Sequence, residues 1–199
     1  MPHASPYHGL PEAMWLGQTE KLLEDYPVEH SVLVEVVRDE WDSIFESRVG
    51  RLGLRIGEHI FPKPQIMGDY LHELIPYDLQ ARYPGTWRRD ATGADKDLVY
   101  VPDDYWSTEI KTSSNPSQVF GNRSYAQPGA GGKKTKSGFY LTVNFQKWSD
   151  VKGRLPGIRI IRLGWLDHTD WIAQTSATGQ QARIRPEAYE GKLVELYRA

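Results

Sequence analysis

The 199-residue sequence contains no cysteine, which excludes disulfide bonds and thiolate zinc sites. It also lacks an N-terminal hydrophobic segment of the kind that directs secretion, and no apolar run reaches the length of a membrane helix. We therefore expect a soluble cytoplasmic protein. A hydrophobic content of 39%, with 12% aromatics, is sufficient for a folded core, and the length fits one domain.

Acidic residues are scarce in the second half of the chain. Residues 1–110 contain 20 acidic and 10 basic residues, whereas residues 111–199 contain 6 acidic and 14 basic residues. Between Lys111 and Arg162 there are ten lysines and arginines but one acid, Asp150. The net charge of −2 hides this asymmetry, which fits either a solvated basic face or a surface that binds a phosphate backbone.

Hydrophobic periodicity divides a single domain, residues 1–199, into a mainly helical part (1–90) and a sheet core (91–199). It predicts helices over 10–25, 30–49, 69–83 and from Pro186 onwards, and strands over 97–101, 106–112, 139–148 and 157–165. Gly50, Gly53 and Gly57 recur at helical spacing, and residues 61–68 are predicted to form a loop. This order indicates a mixed α/β fold, with roughly four or five strands in a mixed sheet flanked by helices.

The stretch KDLVYVPDDYWSTEIKTSS, residues 96–114, places three charged residues on a predicted β-hairpin. Residues two apart in a strand project from one face, so Glu109 and Lys111 point together and Asp97 can reach them from the partner strand. Two carboxylates suit Mg²⁺, for which Mn²⁺ could substitute; such a metal activates a bound water and screens a phosphate in transfer. The pattern predicts phosphodiester hydrolysis, with Asp97 and Glu109 as metal ligands and Lys111 acting on the water or the phosphorus.

Other interpretations of these residues stay open. Glu109 and Lys111 could form a surface salt bridge on a solvated strand. Asp95 also precedes the first strand and could take the place of Asp97. An acid from the helical part, Glu46 or Glu58, could complete the metal shell, although each also fits an exposed helix charge.

The Asp97…Glu109-Ile110-Lys111 hairpin resembles the catalytic motif of the PD-(D/E)XK nuclease superfamily, with Lys96 in place of the proline expected before the aspartate. The blocks EIKTSSN, FGNRSYAQ, KSGFYLTVNF and GWLDHTDWIAQ…ATGQQARI resemble the ScaI-type restriction endonucleases over roughly residues 95–185. This resemblance implies a PD-(D/E)XK nuclease-like core and a type II restriction endonuclease. Such an enzyme cuts both strands of double-stranded DNA at a short palindromic site and leaves 5′-phosphate and 3′-hydroxyl ends. The resemblance further implies a Mg²⁺-dependent homodimer, catalysis by the hairpin triad, and a cognate DNA methyltransferase acting on the same site.

The polar segment from Asn115 to Lys136 fits a DNA-reading loop. Its side chains include those that recognise base edges in the major groove, namely Asn122, Arg123, Ser124 and Gln127. Lys133, Lys134 and Lys136 suit phosphate contacts, which position a protein on DNA without selecting a sequence. A mobile polar connection is the alternative, but the length of the segment within a compact domain favours function.

Two later segments have weaker signals. LDHTDW places Asp167, His168 and Asp170 together after a strand, where local hydrogen bonding is a more common role than metal binding. His168 could also contact DNA. TGQQAR could form a second reading element or a plain surface loop.

Two further functions compete with the restriction enzyme. One is a repair or recombination nuclease of the same fold that recognises DNA structure. The other is a non-catalytic DNA-binding module, which would gain nothing from carboxylates directed at phosphates.

Overall fold

The computed structural model describes residues 4–127, 135–176 and 178–199. Its α-helices are α1 (Trp15–Glu24), α2 (His30–Glu46), α3 (Pro64–Arg82) and α4 (Pro186–Lys192). Its strands are β1 (Arg48–Val49), β2 (Leu54–Arg55), β3 (Trp87–Arg89), β4 (Leu98–Tyr100), β5 (Thr108–Ser113), β6 (Phe120–Asn122), β7 (Gly138–Phe145), β8 (Ile158–Leu166), β9 (Trp171–Ala173), β10 (Gln181–Ile184) and β11 (Leu193–Arg198).

The central sheet has the strand order β11-β8-β7-β5-β4-β3. Strands β5 and β7 are parallel, and the other neighbouring pairs are antiparallel. Almost every residue of β7 and β8 is buried, which explains why their sequences are largely apolar without strict alternation. The expected mixed α/β fold is confirmed.

The sheet has six strands, so the expectation of four or five was too low. One added strand is β3, and the other is β11, which lies within the segment predicted to continue as a helix. Helix α4 ends at Lys192, and Leu193 pairs with Gly164 on β8. Gly164 permits this close approach, because a Cβ atom there would clash with the carbonyl group of Lys192.

The helical part packs on one side of this sheet. Helix α2 buries Leu33, Val37, Trp41 and Ile44, whose spacing places them on one helical face. Helix α3 begins at Pro64, inside the segment predicted to be a loop; a proline fits the first turn because its missing N–H has no helical partner there.

The glycines predicted at helical spacing lie in turns instead. Gly50 and Gly53 have φ angles of 68° and 62° beside the β1-β2 hairpin, a left-handed conformation that glycine adopts without steric cost. Gly57, with φ 85°, also lies outside any helix.

A second, smaller sheet with the order β6-β10-β9 covers the side of the molecule that carries the predicted reading segment. Its strands pair antiparallel, with Asn122 opposite Gln181 and Ile184 opposite Trp171. The sheet contributes to a separate hydrophobic cluster that includes Val119, Tyr125, Tyr140, Leu166, Trp171, Ala182 and Ile184. The described part of the polar segment from Asn115 to Lys136, which was predicted to be a loop, therefore includes the strand β6 and packs against the outside of β7 and β8.

Within the described ranges, none of the helices combines the length and apolar character needed to cross a membrane.

Helix α3 lies close to β5 at Gly68. A Cβ atom at this position would clash with Thr112 Oγ1 on the strand that carries Glu109 and Lys111. The missing side chain therefore allows the helix to lie close to β5.

We expect Gly68→Ala to lower the free energy of unfolding by about 1–3 kcal/mol, because the helix or Thr112 must move. Gly17→Ala on α1 is the matched control, since a Cβ atom there meets nothing within 4 Å. The control should stabilise the protein by about 0.5–1 kcal/mol through helix propensity. Urea unfolding of both variants measures the difference, and equal stabilities would contradict the close packing.

Candidate active site

Asp97, Glu109 and Lys111 come together at the β4-β5 hairpin. The Ile110 main-chain N–H donates a hydrogen bond of 2.7 Å to Asp97 Oδ2, which fixes the first acid against the second strand. Lys111 Nζ donates to Glu109 Oε1 at 2.7 Å and to the Ile110 carbonyl at 3.0 Å. The hairpin is thus closed by side-chain contacts as well as by the pairing of Leu98 with Thr108.

The interpretation of Glu109 and Lys111 as a surface salt bridge does not hold. The side chain of Glu109 is 3% exposed and that of Lys111 is 13% exposed, whereas Asp97 is 19% exposed. Ionised groups are seldom buried in this way unless they are paired, because removal from water is costly. The pair lies beneath the surface, and Lys111 reaches the wall of a cleft.

Tyr125 covers the buried carboxylate from the small sheet. Its hydroxyl donates a hydrogen bond to Glu109 Oε1, the same oxygen that Lys111 contacts. Lys111 Nζ lies 4.8 Å and Lys136 Nζ 4.3 Å from the centre of the tyrosine ring, within the range of a cation–π interaction. Burial and the charge of Glu109 raise the pKa of Tyr125, so its hydroxyl remains protonated and acts as a donor.

Sequence reasoning missed Tyr125. The FGNRSYAQ block contains two aromatic residues, Phe120 and Tyr125, among polar side chains, and nothing local marks Tyr125 as the partner of Glu109.

A cleft of about 790 Å³ opens between α3 and the small sheet. Its lining includes Asp69 and His72 of α3, Lys111 and Tyr125, and the basic residues Lys147 and Arg159. His72 Nδ1 lies 3.6 Å from Asp97 Oδ2, so the helix reaches the leading acid of the hairpin. Asp150 also lines the cleft and pairs with Arg159 at 2.9 Å, so the lining carries three cations and two acids.

Asp95 lies in the turn before β4 and binds other partners. Its Oδ2 accepts hydrogen bonds from Arg88 at 2.9 Å and from the N–H groups of Ala91 and Thr92. The Arg88 bond, with the main-chain bonds, lowers the pKa of Asp95 to about 2. These contacts account for Asp95 as a turn-stabilising residue, and the structure assigns the place beside Glu109 to Asp97.

The acids from the helical part lie elsewhere. Glu46 and Glu58 line a different cleft, and Glu58 pairs with Arg55 at 3.5 Å. Among the described residues there is no group of three or more histidine and acidic side chains arranged to hold a metal. The available donor set is therefore the two carboxylates of Asp97 and Glu109, which fits a hard cation that keeps several waters.

Lys96, which replaces the proline of the nuclease motif, has a structural role. It is 6% exposed, and its Nζ donates to the carbonyl groups of Thr135 at 3.0 Å and Ser137 at 3.3 Å. The residue before the leading acid thus anchors the returning end of the predicted reading segment.

The predicted DNA-reading residues lie on and beside a 3₁₀ turn, Arg123–Ala126, that follows β6. Asn122, Ser124 and Gln127 are exposed. Arg123 is half-buried, and its guanidinium donates to the carbonyl groups of Ser176 at 3.4 Å and Gly179 at 3.5 Å. Exposed polar side chains on a firmly attached turn are suited to contact a partner.

The lysines predicted to contact phosphates are Lys133, Lys134 and Lys136. Lys133 and Lys134 lie outside the described residues. The Nζ atom of Lys136 lies over the Tyr125 ring, and the main-chain carbonyl of Lys136 accepts a hydrogen bond of 2.6 Å from the Tyr140 hydroxyl. The second reading element, TGQQAR, contributes Gln181 and Arg183 to β10, which pairs with β6, so both candidate reading segments belong to one small sheet.

One of the basic residues in the stretch from Lys111 to Arg162 is buried. Arg162 is 8% exposed and donates to Asn144 Oδ1 at 3.1 Å and to the Ser117 carbonyl. Asn144 in turn donates to the carbonyl groups of Asn115 and Gln118. These contacts hold the start of the reading segment, and Arg162 does not contribute to an exposed basic surface.

The LDHTDW segment forms a buried ionic cluster. Lys192 Nζ lies 3.0 Å from Asp167 Oδ2 and 2.8 Å from Asp170 Oδ2. The main-chain N–H of His168 donates to Ser137 Oγ at 3.1 Å. This geometry supports local hydrogen bonding as the role of the two acids; a DNA contact by His168 stays a prediction.

Two acids and a lysine on one hairpin, with the lysine at the wall of a cleft, form an arrangement suited to phosphodiester hydrolysis. The chain matches the family model described as ScaI restriction endonuclease over residues 5–197. It is 52% identical over 194 residues to the type II restriction enzyme ScaI of Streptomyces caespitosus, in an alignment covering 97% of this chain and 85% of that enzyme. The chain therefore belongs to the ScaI restriction endonuclease family and is a type II site-specific deoxyribonuclease that acts on DNA.

Two solved structures show a more distant likeness. The tetrameric restriction endonuclease SfiI bound to cognate DNA aligns with a TM-score of 0.44 at 16% identity, covering 99% of this chain and 89% of that chain. The restriction endonuclease BglI bound to its DNA recognition sequence aligns with a TM-score of 0.45 at 11% identity, covering 96% and 95% of the two chains.

The roles of Asp95 and Asp97 can be distinguished by measuring the stability and the cleavage activity of variants. Because the pKa of Asp95 is lowered in the folded state, its stabilising effect is present above about pH 4 and is lost as the pH falls towards 2. We expect Asp95→Asn to cost roughly 1–2 kcal/mol at pH 7, with partial screening at the exposed Arg88, and to retain DNA cleavage. Asp97→Asn should abolish cleavage.

Urea unfolding at several pH values and plasmid cleavage measure the two effects. The stability difference between wild type and Asp95→Asn should shrink as the pH falls from 5 to 3. Loss of cleavage in a folded Asp95→Asn protein would reverse the assignment of the two acids.

Proposed function

We propose that the enzyme hydrolyses phosphodiester bonds with Asp97, Glu109 and Lys111, in the presence of Mg²⁺ or Mn²⁺. The observation that carries the proposal is the buried Glu109–Lys111 pair beside Asp97, with Lys111 at the wall of a cleft. A structural salt bridge would not require a second carboxylate beside it. Enzymes of this family generally use a divalent metal, and the two carboxylates are suitable ligands for Mg²⁺.

Each residue of the hairpin has a distinct role in this mechanism. Asp97 and Glu109 hold the metal, which when bound supplies a water of lowered pKa and a positive charge at the phosphate. Asp97 keeps its orientation because one oxygen is fixed by the Ile110 N–H. Lys111 lies within hydrogen-bonding distance of Glu109 and can orient the attacking water or stabilise the charge that develops on the phosphorus oxygens.

The small sheet supplies DNA recognition in our proposal. Asn122, Arg123, Ser124 and Gln127 contact base edges, with arginine suited to guanine and the amides suited to adenine. Lys133, Lys134 and Lys136 contact phosphates and give a salt-dependent affinity. Lys147 lines the same cleft as Lys111, which supports its addition to the phosphate contacts, whereas Arg159 in that lining pairs with Asp150 at 2.9 Å.

The whole chain acts as one nuclease domain, because its main hydrophobic cluster includes residues from Tyr7 to Trp165.

A palindromic site has two-fold symmetry, so we propose a homodimer in which each subunit cuts one strand and leaves 5′-phosphate and 3′-hydroxyl ends. A cognate DNA methyltransferase would protect the same site in the host. A cytoplasmic location follows from a DNA substrate and the need for protection by methylation.

Removal of the lysine tests the proposed mechanism. We expect Lys111→Ala to lower the rate of plasmid cleavage by about 10²–10⁴-fold, because a group acting on the water or phosphate is lost. Lys21→Ala, on the exposed face of α1, is the control and should cut at the wild-type rate. Sequencing the ends of the wild-type fragments gives the site and the cut position.

A fixed set of fragments with 5′-phosphate ends, made only when Mg²⁺ or Mn²⁺ is added, is the expected result. Wild-type cleavage by a folded Lys111→Ala protein would overturn the assignment of the site. Cleavage without sequence preference would overturn the assignment of the reading segment.

A further inference from the structure

Tyr125 lies where the predicted reading turn meets the catalytic strand. It is 6% exposed, whereas its neighbours Asn122, Ser124 and Gln127 are exposed. The 3₁₀ turn Arg123–Ala126 therefore has two faces. Polar side chains lie on the outer face, and one aromatic side chain points to the buried carboxylate.

The Tyr125 hydroxyl and Lys111 Nζ share one carboxylate oxygen, Glu109 Oε1. Two donors on the same oxygen restrict rotation of the carboxyl group about its terminal bond. A carboxylate held in this way presents its remaining lone pairs in a defined direction, which favours binding of a cation over a freely rotating group.

The tyrosine ring is itself firmly held. It packs against Trp171 with ring centres 5.1 Å apart, and a Cβ atom at Gly121 would lie only 3.0 Å from the ring. Gly121 belongs to β6, so the absence of a side chain there allows the strand to lie directly against the ring. Movement of the hydroxyl therefore requires movement of the turn as a unit.

We propose that Tyr125 is a positioning residue that orients the Glu109 carboxylate for metal binding and links it mechanically to the reading turn. This inference rests on the proposed function of Glu109 as a metal ligand. Because the hydroxyl and the base-reading side chains belong to one rigid turn, the position of that turn on DNA sets the orientation of Glu109. A misplaced turn withdraws the hydroxyl and weakens the metal site.

The test is Tyr125→Phe, which removes the hydroxyl and keeps the ring. Direct binding of Mn²⁺ alone, followed by the electron paramagnetic resonance signal of the free ion, should be about 10–100-fold weaker than in the wild type. In single-turnover cleavage of a mapped fragment, the Mg²⁺ concentration for half-maximal rate should rise by a similar factor. Saturating metal should restore most of the rate, and DNA affinity without metal should be unchanged.

Tyr140→Phe is the matched control. Tyr140 is a fully buried tyrosine of the same hydrophobic cluster, but its hydroxyl donates to the main-chain carbonyl of Lys136. Tyr140 lies opposite Glu109 in the β5–β7 pairing, but the hydrogen bond that this variant loses goes to Lys136, so it should lose stability and bind Mn²⁺ as the wild type does. Urea unfolding of both variants shows that each protein is folded under the binding conditions.

Glu109→Gln separates the inference from the proposed function. Weak Mn²⁺ binding in both Glu109→Gln and Tyr125→Phe, with normal binding in Tyr140→Phe, is the expected result. Wild-type Mn²⁺ affinity in Tyr125→Phe together with weak binding in Glu109→Gln would overturn the role of Tyr125 and leave the metal site intact. Wild-type affinity in Glu109→Gln would overturn the metal site itself.

Discussion

The arrangement of the whole site depends on a carboxylate buried in the middle of the sheet. Glu109 is 2% exposed, and removing an ionised carboxylate from water costs of order several kcal/mol. The Lys111 ammonium and the Tyr125 hydroxyl offset this cost, and both reach the same oxygen. Since Tyr125 lies on the 3₁₀ turn that follows β6, the burial of Glu109 depends on the packing of that turn against the central sheet.

The same constraint explains why the turn proposed to read DNA is held by several contacts. A hydrogen bond to a buried charge tolerates little displacement, so the 3₁₀ turn carrying Tyr125 must be firmly attached. The attachment comes from the pairing of β6 with β10, from the Asn144–Arg162 network at the start of the segment, and from Lys96 at its end. The charged side chains of Lys96 and Arg162 are therefore buried and hold the two ends of this segment in place.

The convergence of Asp97, Glu109 and Lys111 at one hairpin could be predicted from the sequence because its signal is local. Glu109 and Lys111 are two residues apart on one strand, and a short turn brings Asp97 beside them, so pattern and distance along the chain were sufficient. The assignment of Asp97 over Asp95 was also local, since Asp97 directly precedes Leu98 and Val99. The mixed sheet followed from the long apolar segments that became β7 and β8.

The missed features depend on contacts between distant parts of the chain. Strands β6, β9 and β10 have three or four residues each, and β10 follows β6 by almost 60 residues, so no periodicity marks them. Strand β11 follows α4 without a turn, and its place at the sheet edge depends on the missing side chain of Gly164. Tyr125 could not be recognised as a partner of Glu109 until the small sheet was known to fold back over the hairpin.

The most direct test of this account is to locate the metal. Crystals of the protein soaked in Mn²⁺, with diffraction data collected at the manganese absorption edge, give an anomalous difference map that shows the ion alone. The account predicts a peak in contact with the carboxylates of Asp97 and Glu109. A peak at Asp95 or Glu58, with none at the hairpin, would contradict it.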